Sequence, residues 1–178
     1  SSSNALLPLG AKAFKLINHL YFRLSLKGRE NIPANGPFII APNHESFLDA
    51  PMVTSGLLWD AIRNTYFYAT EEHFNTAFKR SVAHGSNVIL MQKSDLKSSI
   101  QYMAQALRAG KNLMIFPEGR RTNTGEMGDF KKTFAILAKE LRVPIVPVRI
   151  TGAFEALPRH KSFPRPSKVT VEYLPAVM

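Results

Sequence analysis

Apolar positions along the chain fall into two patterns. Some form short unbroken runs closed by glycine, proline or polar residues, and these predict buried strands. Pro37-Phe38-Ile39-Ile40-Ala41 lies between Gly36 and Pro42. Thr65 to Ala69 is β-branched and aromatic, and Asn87 to Met91, Asn112 to Phe116, Pro144 to Ile150 and Val169 to Tyr173 are further strand-like runs. Other apolar residues recur every three or four positions, as on one face of a helix. Ser94 to Ala109 carries Leu96, Ile100, Met103, Ala104 and Leu107 on one stripe; Ser94 or Asp95 can cap it and Gly110 ends it. Helices are also expected from near Asp49 or Pro51 to about Trp59, over Glu72 to Arg80, and over Lys131 to Leu141.

Strands that alternate with amphipathic helices, and are apolar on both sides, predict an α/β fold. It is a single domain with a largely parallel sheet, open to mixed pairing, flanked by helices on both faces. A chain of 178 residues suits one such domain and is long enough to bury a core without staples. Pro158 to Pro166 reads as a basic loop.

Residues 1–25 predict an amphipathic helix, with Leu9, Ala13, Leu16, Ile17, Leu20 and Leu24 at helical spacing. Lys12, Lys15, Asn18, His19 and Arg23 interrupt it, so it makes a poor signal peptide and a poor membrane span. It can pack on its own domain, or lie on a membrane surface with its basic residues near headgroups. Residues 1–5 read as a cloning remnant.

Charge adds a partner class. The chain has 23 Lys plus Arg against 13 Asp plus Glu, a formal net charge of +10. Residues 1–89 hold 8 basic and 6 acidic groups, whereas 90–178 hold 15 and 7. This surplus favours an anionic partner: phosphate, nucleic acid or an anionic membrane surface. No RNP-type aromatic pattern or zinc-finger spacing accompanies it, so nucleic acid is not expected. Cysteine is absent, which excludes a disulfide framework, a thiolate zinc site and a cysteine nucleophile.

Two polar clusters follow predicted strands. Asn43-His44-Glu45-Ser46-Phe47-Leu48-Asp49 comes after the first strand, and Phe116-Pro117-Glu118-Gly119-Arg120-Arg121-Thr122 closes the fourth. In a parallel sheet both would lie at the carboxyl edge, where ligands bind. His44 can act as a general base, with Asp49 fixing its tautomer. Alone, the pair also fits a structural histidine satisfied within its turn. Ser46 fits a cap better than a nucleophile. A His–Asp pair without its own nucleophile implies that the substrate brings one, such as a hydroxyl. A metal site on His44, Glu45 and Asp49 matches no common zinc spacing. Arg120 and Arg121 offer forked donors for phosphate, Gly119 allows close backbone approach, and Glu118 can orient an arginine or meet a substrate hydroxyl.

Taken together, the clusters resemble the glycerolipid acyltransferases, including the 1-acylglycerol-3-phosphate acyltransferases. That family has Asn-His-x4-Asp in its first block and Phe-Pro-Glu-Gly-Thr-Arg-Ser in its third. Asn43, His44 and Asp49 match the first. Phe116, Pro117, Glu118, Gly119 and Arg121 match the third, with Arg120 in place of Thr and Thr122 in place of Ser. The apolar Val143 to Val148 resembles the fourth block. The second block departs: after Gly85 and Val88-Ile89-Leu90-Met91 come Gln92 and Lys93, where relatives usually carry an arginine for the acceptor phosphate. Lys93 would serve there as a point charge. The apolar anchor that many relatives carry ahead of this region is also not evident.

The resemblance implies an acyltransferase catalytic domain over 26–178, either excised from a larger protein or naturally short. It implies acyl transfer from acyl-CoA or acyl carrier protein to a hydroxyl of a lysophospholipid, with no cofactor and no metal. His44 and Asp49 would be catalytic; Glu118, Gly119, Arg120, Arg121 and Lys93 would bind substrate. The enzyme would be cytoplasmic and peripheral, on the inner face of a membrane. A lysophosphatidylethanolamine or other acceptor, handled by a domain of a bifunctional acyl-activating protein, is the alternative. A non-catalytic basic membrane-binding module is the alternative of another class.

Overall fold

The computed structural model describes residues 16–70, 87–91 and 95–178. Seven strands form one sheet in the order β1-β7-β6-β2-β5-β3-β4. They are β1 (Ser25–Lys27), β2 (Ile39–Pro42), β3 (Thr65–Thr70), β4 (Val88–Met91), β5 (Asn112–Met114), β6 (Ile145–Thr151) and β7 (Thr170–Tyr173). The five central and outer strands β6, β2, β5, β3 and β4 all pair in parallel. β7 runs antiparallel to β6, and β1 pairs in parallel with β7, so the sheet is mixed at this one edge. The helices are α1 (Asp49–Thr54), α2 (Trp59–Arg63), α3 (Leu96–Arg108), α4 (Thr133–Leu141) and α5 (Ala153–Ala156).

Alternation along each strand divides the core between two faces. Ile40, Met114, Val146 and Val148 face Met52 and Val53 of α1, together with Tyr173. Ile39, Leu113 and Ile115 face Met103 and Leu107 of α3 and Leu137 of α4. Complete burial of side chains such as Ile39, Ile40 and Leu113 contributes about 1.5–3 kcal/mol each. Asp95 caps α3, accepting a hydrogen bond from the Ser98 N–H at 3.0 Å.

Two expectations change. The helix expected from Asp49 to about Trp59 is two helices. Thr54 and Ser55 turn their hydroxyls onto the carbonyls of Ala50, Pro51 and Met52, which competes with helix continuation. Gly56 then packs against Tyr173, where an added Cβ would lie 2.2 Å from the phenol oxygen. The N-terminal helix expected over residues 1–25 ends at Leu20 in its described part, and Leu24 of its apolar stripe packs against the core. Residues 16–20 are helical, yet Leu16, Ile17 and Leu20 are exposed, Leu20 by 68%. Asn18 and Phe22 are the buried residues there. The expected helix over Glu72 to Arg80 lies outside the described residues, as do Gly85 and Lys93. Among the described residues, no helix is long and apolar enough to cross a membrane.

Candidate active site

β2 and β5 are parallel neighbours, with Ile39 opposite Leu113 and Ile40 opposite Met114. The chain leaves both strands at the same edge, so the two polar clusters meet. His44 follows β2 by two residues, and Phe116 follows β5 by two. The rings of His44 and Phe116 stack, with centroids 3.9 Å apart and planes at 19°. The Thr122 N–H donates to the His44 carbonyl at 2.8 Å and ties the second cluster to the first.

His44 Nδ1 lies 2.8 Å from Asp49 Oδ2. The same oxygen accepts from the N–H groups of Glu45 at 2.7 Å and Ser46 at 2.8 Å. An oxygen that already accepts two backbone donors acts as an acceptor, so Nδ1 carries the proton and Nε2 is the basic nitrogen. Asp49 is 0% exposed, and its other oxygen, Oδ1, is buried without a partner among the described residues. Burial pushes the Asp49 carboxyl upward, against the bonds from His44, Ser46 and Glu45 that favour the anion.

The turn between His44 and Asp49 is braced from both sides. Asn43 is buried and completes the β6 ladder with its amide: Oδ1 accepts from the Ile150 N–H at 2.6 Å, and Nδ2 donates to the Ile150 carbonyl at 3.0 Å. Glu45 Oε2 accepts from the Ala153 and Phe154 N–H groups at 3.0 and 3.1 Å. Ser46 donates its hydroxyl to the Leu157 carbonyl at 2.9 Å and is wholly buried, which leaves it no role as a nucleophile. On the other side, Glu118 Oε1 accepts from the His44 N–H at 2.6 Å and Oε2 from the Gly128 N–H at 2.7 Å. Glu118 is 8% exposed. Its carboxylate therefore holds the backbone of His44 and the 122–128 loop.

Gly119 has φ +70°, the left-handed region that favours glycine. The Lys131 ammonium occupies the space a side chain there would need, 2.6 Å from an added Cβ. Arg120 is exposed. Arg121 is half-buried, its guanidinium 5.7 Å from the centre of the Phe47 ring. Burial, and then the charge of Arg159, lower its affinity for a proton, while Asp49 opposes them. Among the described residues, no group of three His, Cys, Asp or Glu side chains is arranged to hold a metal ion.

Burial also pushes the Glu45 carboxyl up to about 7; the charges of Asp49 and Glu155 add to this, while the Phe154 and Ala153 N–H groups oppose it. A raised native value makes this group's stabilisation complete below the ordinary 4.5 and lost as pH rises through about 7. Glu45→Gln removes that titration. Its melting temperature relative to wild type is expected to rise between about pH 5 and 8, by the equivalent of on the order of 1–3 kcal/mol. Parallel melting curves across that range would refute the assignment.

The motif pair marked His44, Asp49 and Arg121. It did not mark Glu45 or the stacking role of Phe116. Glu45 bonds to amides more than a hundred residues away, and no local pattern announces such a contact.

The acyltransferase family model matches residues 23–151. A 1-acyl-sn-glycerol-3-phosphate acyltransferase of Limnanthes alba is 30% identical over 158 residues, covering 86% of this chain and 54% of that protein. A chloroplastic 1-acyl-sn-glycerol-3-phosphate acyltransferase of Arabidopsis thaliana is 25% identical over 143 residues, covering 78% of this chain and 38% of that protein. The chain thus spans about half the length, or less, of these relatives. The crystal structure of the 1-acyl-sn-glycerophosphate acyltransferase PlsC from Thermotoga maritima matches the fold with a TM-score of 0.76 at 24% identity, over 94% of this chain and 68% of that one.

Proposed function

The chain belongs to the acyltransferase family, and from that premise we propose that it moves a fatty acyl group from a thioester to a hydroxyl of a lysophospholipid such as 1-acylglycerol-3-phosphate. The observation that carries the reading is the 2.8 Å contact of His44 Nδ1 with buried Asp49, at the sheet edge shared with Arg121. The curated relatives quoted above are named for that acceptor.

In the proposed step, His44 Nε2 takes the hydroxyl proton as the acceptor oxygen attacks the thioester carbonyl carbon. The tetrahedral intermediate collapses, the carbon–sulfur bond breaks, and the departing thiolate recovers the proton from His44. An ester and a free thiol result, with no acyl group carried on the protein. Asp49 holds the imidazole tautomer and offsets the charge of the imidazolium. Arg121, aided by Arg120 and Lys93, binds the acceptor phosphate. Glu118 and Gly119 shape the loop that presents Arg121.

The donor is an acyl thioester of coenzyme A or acyl carrier protein, both acidic and both suited to the basic surface. The enzyme works as a peripheral protein on the inner, cytoplasmic face of a membrane. Exposed Leu16, Ile17 and Leu20, with the basic 158–168 loop, would meet an anionic bilayer.

The test is a matrix of donors and acceptors scored by thiol release. Transfer from acyl-CoA or acyl carrier protein to lysophosphatidic acid is expected. Preference for lysophosphatidylethanolamine would reassign the acceptor, and vesicle binding without any transfer would favour a membrane module. Arg121→Ala is expected to raise KM for the phosphate-bearing acceptor by about 10–100-fold, with a smaller change in kcat. An unchanged KM would remove Arg121 from phosphate binding.

A further inference from the structure

We propose that Arg159 is a second guanidinium of the acceptor-phosphate site, acting with Arg121. This rests on the lysophospholipid reading and adds a residue outside both sequence clusters.

Arg159 is exposed, and two sets of contacts place it. The segment before it is sewn to the catalytic turn: Leu157 accepts from the Ser46 hydroxyl at 2.9 Å, and the Ala153 and Phe154 N–H groups donate to Glu45. Arg159 stands two residues beyond Leu157, about 7 Å of chain at most. Its side chain reaches toward the other cluster, where Nη1 donates to Asn123 Oδ1 at 3.4 Å. Asn123 is two residues beyond Arg121. Arg159 therefore spans the loops that follow β6 and β5, at the edge where His44 lies.

Charge makes this placement informative. Among the described residues, neither Arg121 nor Arg159 is in a salt bridge with a carboxylate. Asp49 is close enough to influence Arg121, but its Oδ2 is committed to His44 and two backbone N–H groups. Arg159 in turn makes Arg121 harder to keep protonated, the mark of two cations sharing a locality. Two guanidinium groups without a salt-bridge partner among the described residues match a phosphate dianion in charge and in forked geometry. Among the described residues, one long bond to Asn123 engages Arg159 and leaves its other donors for a ligand.

The test compares wild type, Arg159→Ala and Arg159→Lys with acyl-CoA as donor. For lysophosphatidic acid, KM is expected to rise about tenfold in Arg159→Ala with kcat within about twofold, and Arg159→Lys should recover part of the loss. The rise should exceed that for 1-acylglycerol, which lacks phosphate, by about the same factor. An equal rise for both acceptors, or no rise, overturns the proposal. A rise in KM for acyl-CoA alone overturns it too, assigning Arg159 to the phosphates of the donor. Wild type inactive on every lysophospholipid would instead sink the functional reading. Inorganic phosphate then tests the anion site by itself: its stabilisation of the wild type against heat should weaken in Arg159→Ala, and equal stabilisation refutes the site.

Discussion

His44→Ala is expected to lower acyl transfer about 10²–10⁴-fold, the range that a positioned general base contributes. The loss should fall on kcat, because Nε2 acts on the acceptor proton as the bond forms and adds little to ground-state binding. The fold should survive. The His44 backbone keeps its bond to Glu118, and the Thr122 N–H keeps its bond to the residue 44 carbonyl. What is lost is the ring stacked on Phe116 and one of three donors to Asp49 Oδ2. Single-turnover thiol release, alongside a melting curve, separates these effects. Activity within a fewfold of wild type would end the assignment of His44 as base.

The order of elements was legible because strands buried on both faces must be apolar throughout. Ile39-Ile40 and Leu113-Met114 carry that signal, and each pair divides between the two cores. β1 was not legible. Ser25-Leu26-Lys27 is three residues long, ends on an exposed lysine and lies at the sheet edge, where one side needs no cover. The split between α1 and α2 was hidden for a different reason. Gly56 breaks the helix where it meets Tyr173, a residue more than a hundred positions away.

The site shows the same division between local and distant contacts. His44 and Asp49 are five residues apart, and the turn that joins them is written in their own segment. Glu118 is also visible in its motif, but its task is not: it accepts from the backbone of His44, 74 residues away, and from Gly128. A backbone N–H looks alike in every sequence, so only the fold reveals which one a carboxylate meets. Arg120 and Arg121 are adjacent and chemically identical. The loop leaves Arg120 exposed and turns Arg121 over Phe47.

Asp49→Asn separates charge from orientation at His44. The Glu45 and Ser46 N–H groups both point at Oδ2, so the amide oxygen of asparagine should take that place. It would then accept the His44 Nδ1 proton as the carboxylate does, and the tautomer would be kept. The amide nitrogen would fall where Oδ1 now sits, a buried position with no partner among the described residues. One unpaired buried group replaces another, so stability should change by no more than about 1–2 kcal/mol. The anion itself is lost, and with it the charge that offsets the imidazolium at 2.8 Å. The expected result is a fall in kcat of about 10²-fold with KM for the acceptor nearly unchanged. Asp49→Ala removes the orienting oxygen as well. It also strands the Glu45 and Ser46 N–H groups, at a cost of about 1–3 kcal/mol each where they stay dry. It should therefore be slower than Asp49→Asn by a further factor of about ten and melt lower. If the two variants were equally active, the charge of Asp49, not its hold on the ring, would be its whole catalytic task. If Asp49→Asn matched wild type, the negative charge would play no part in the reaction, and holding the ring and the turn would be the whole task of Asp49.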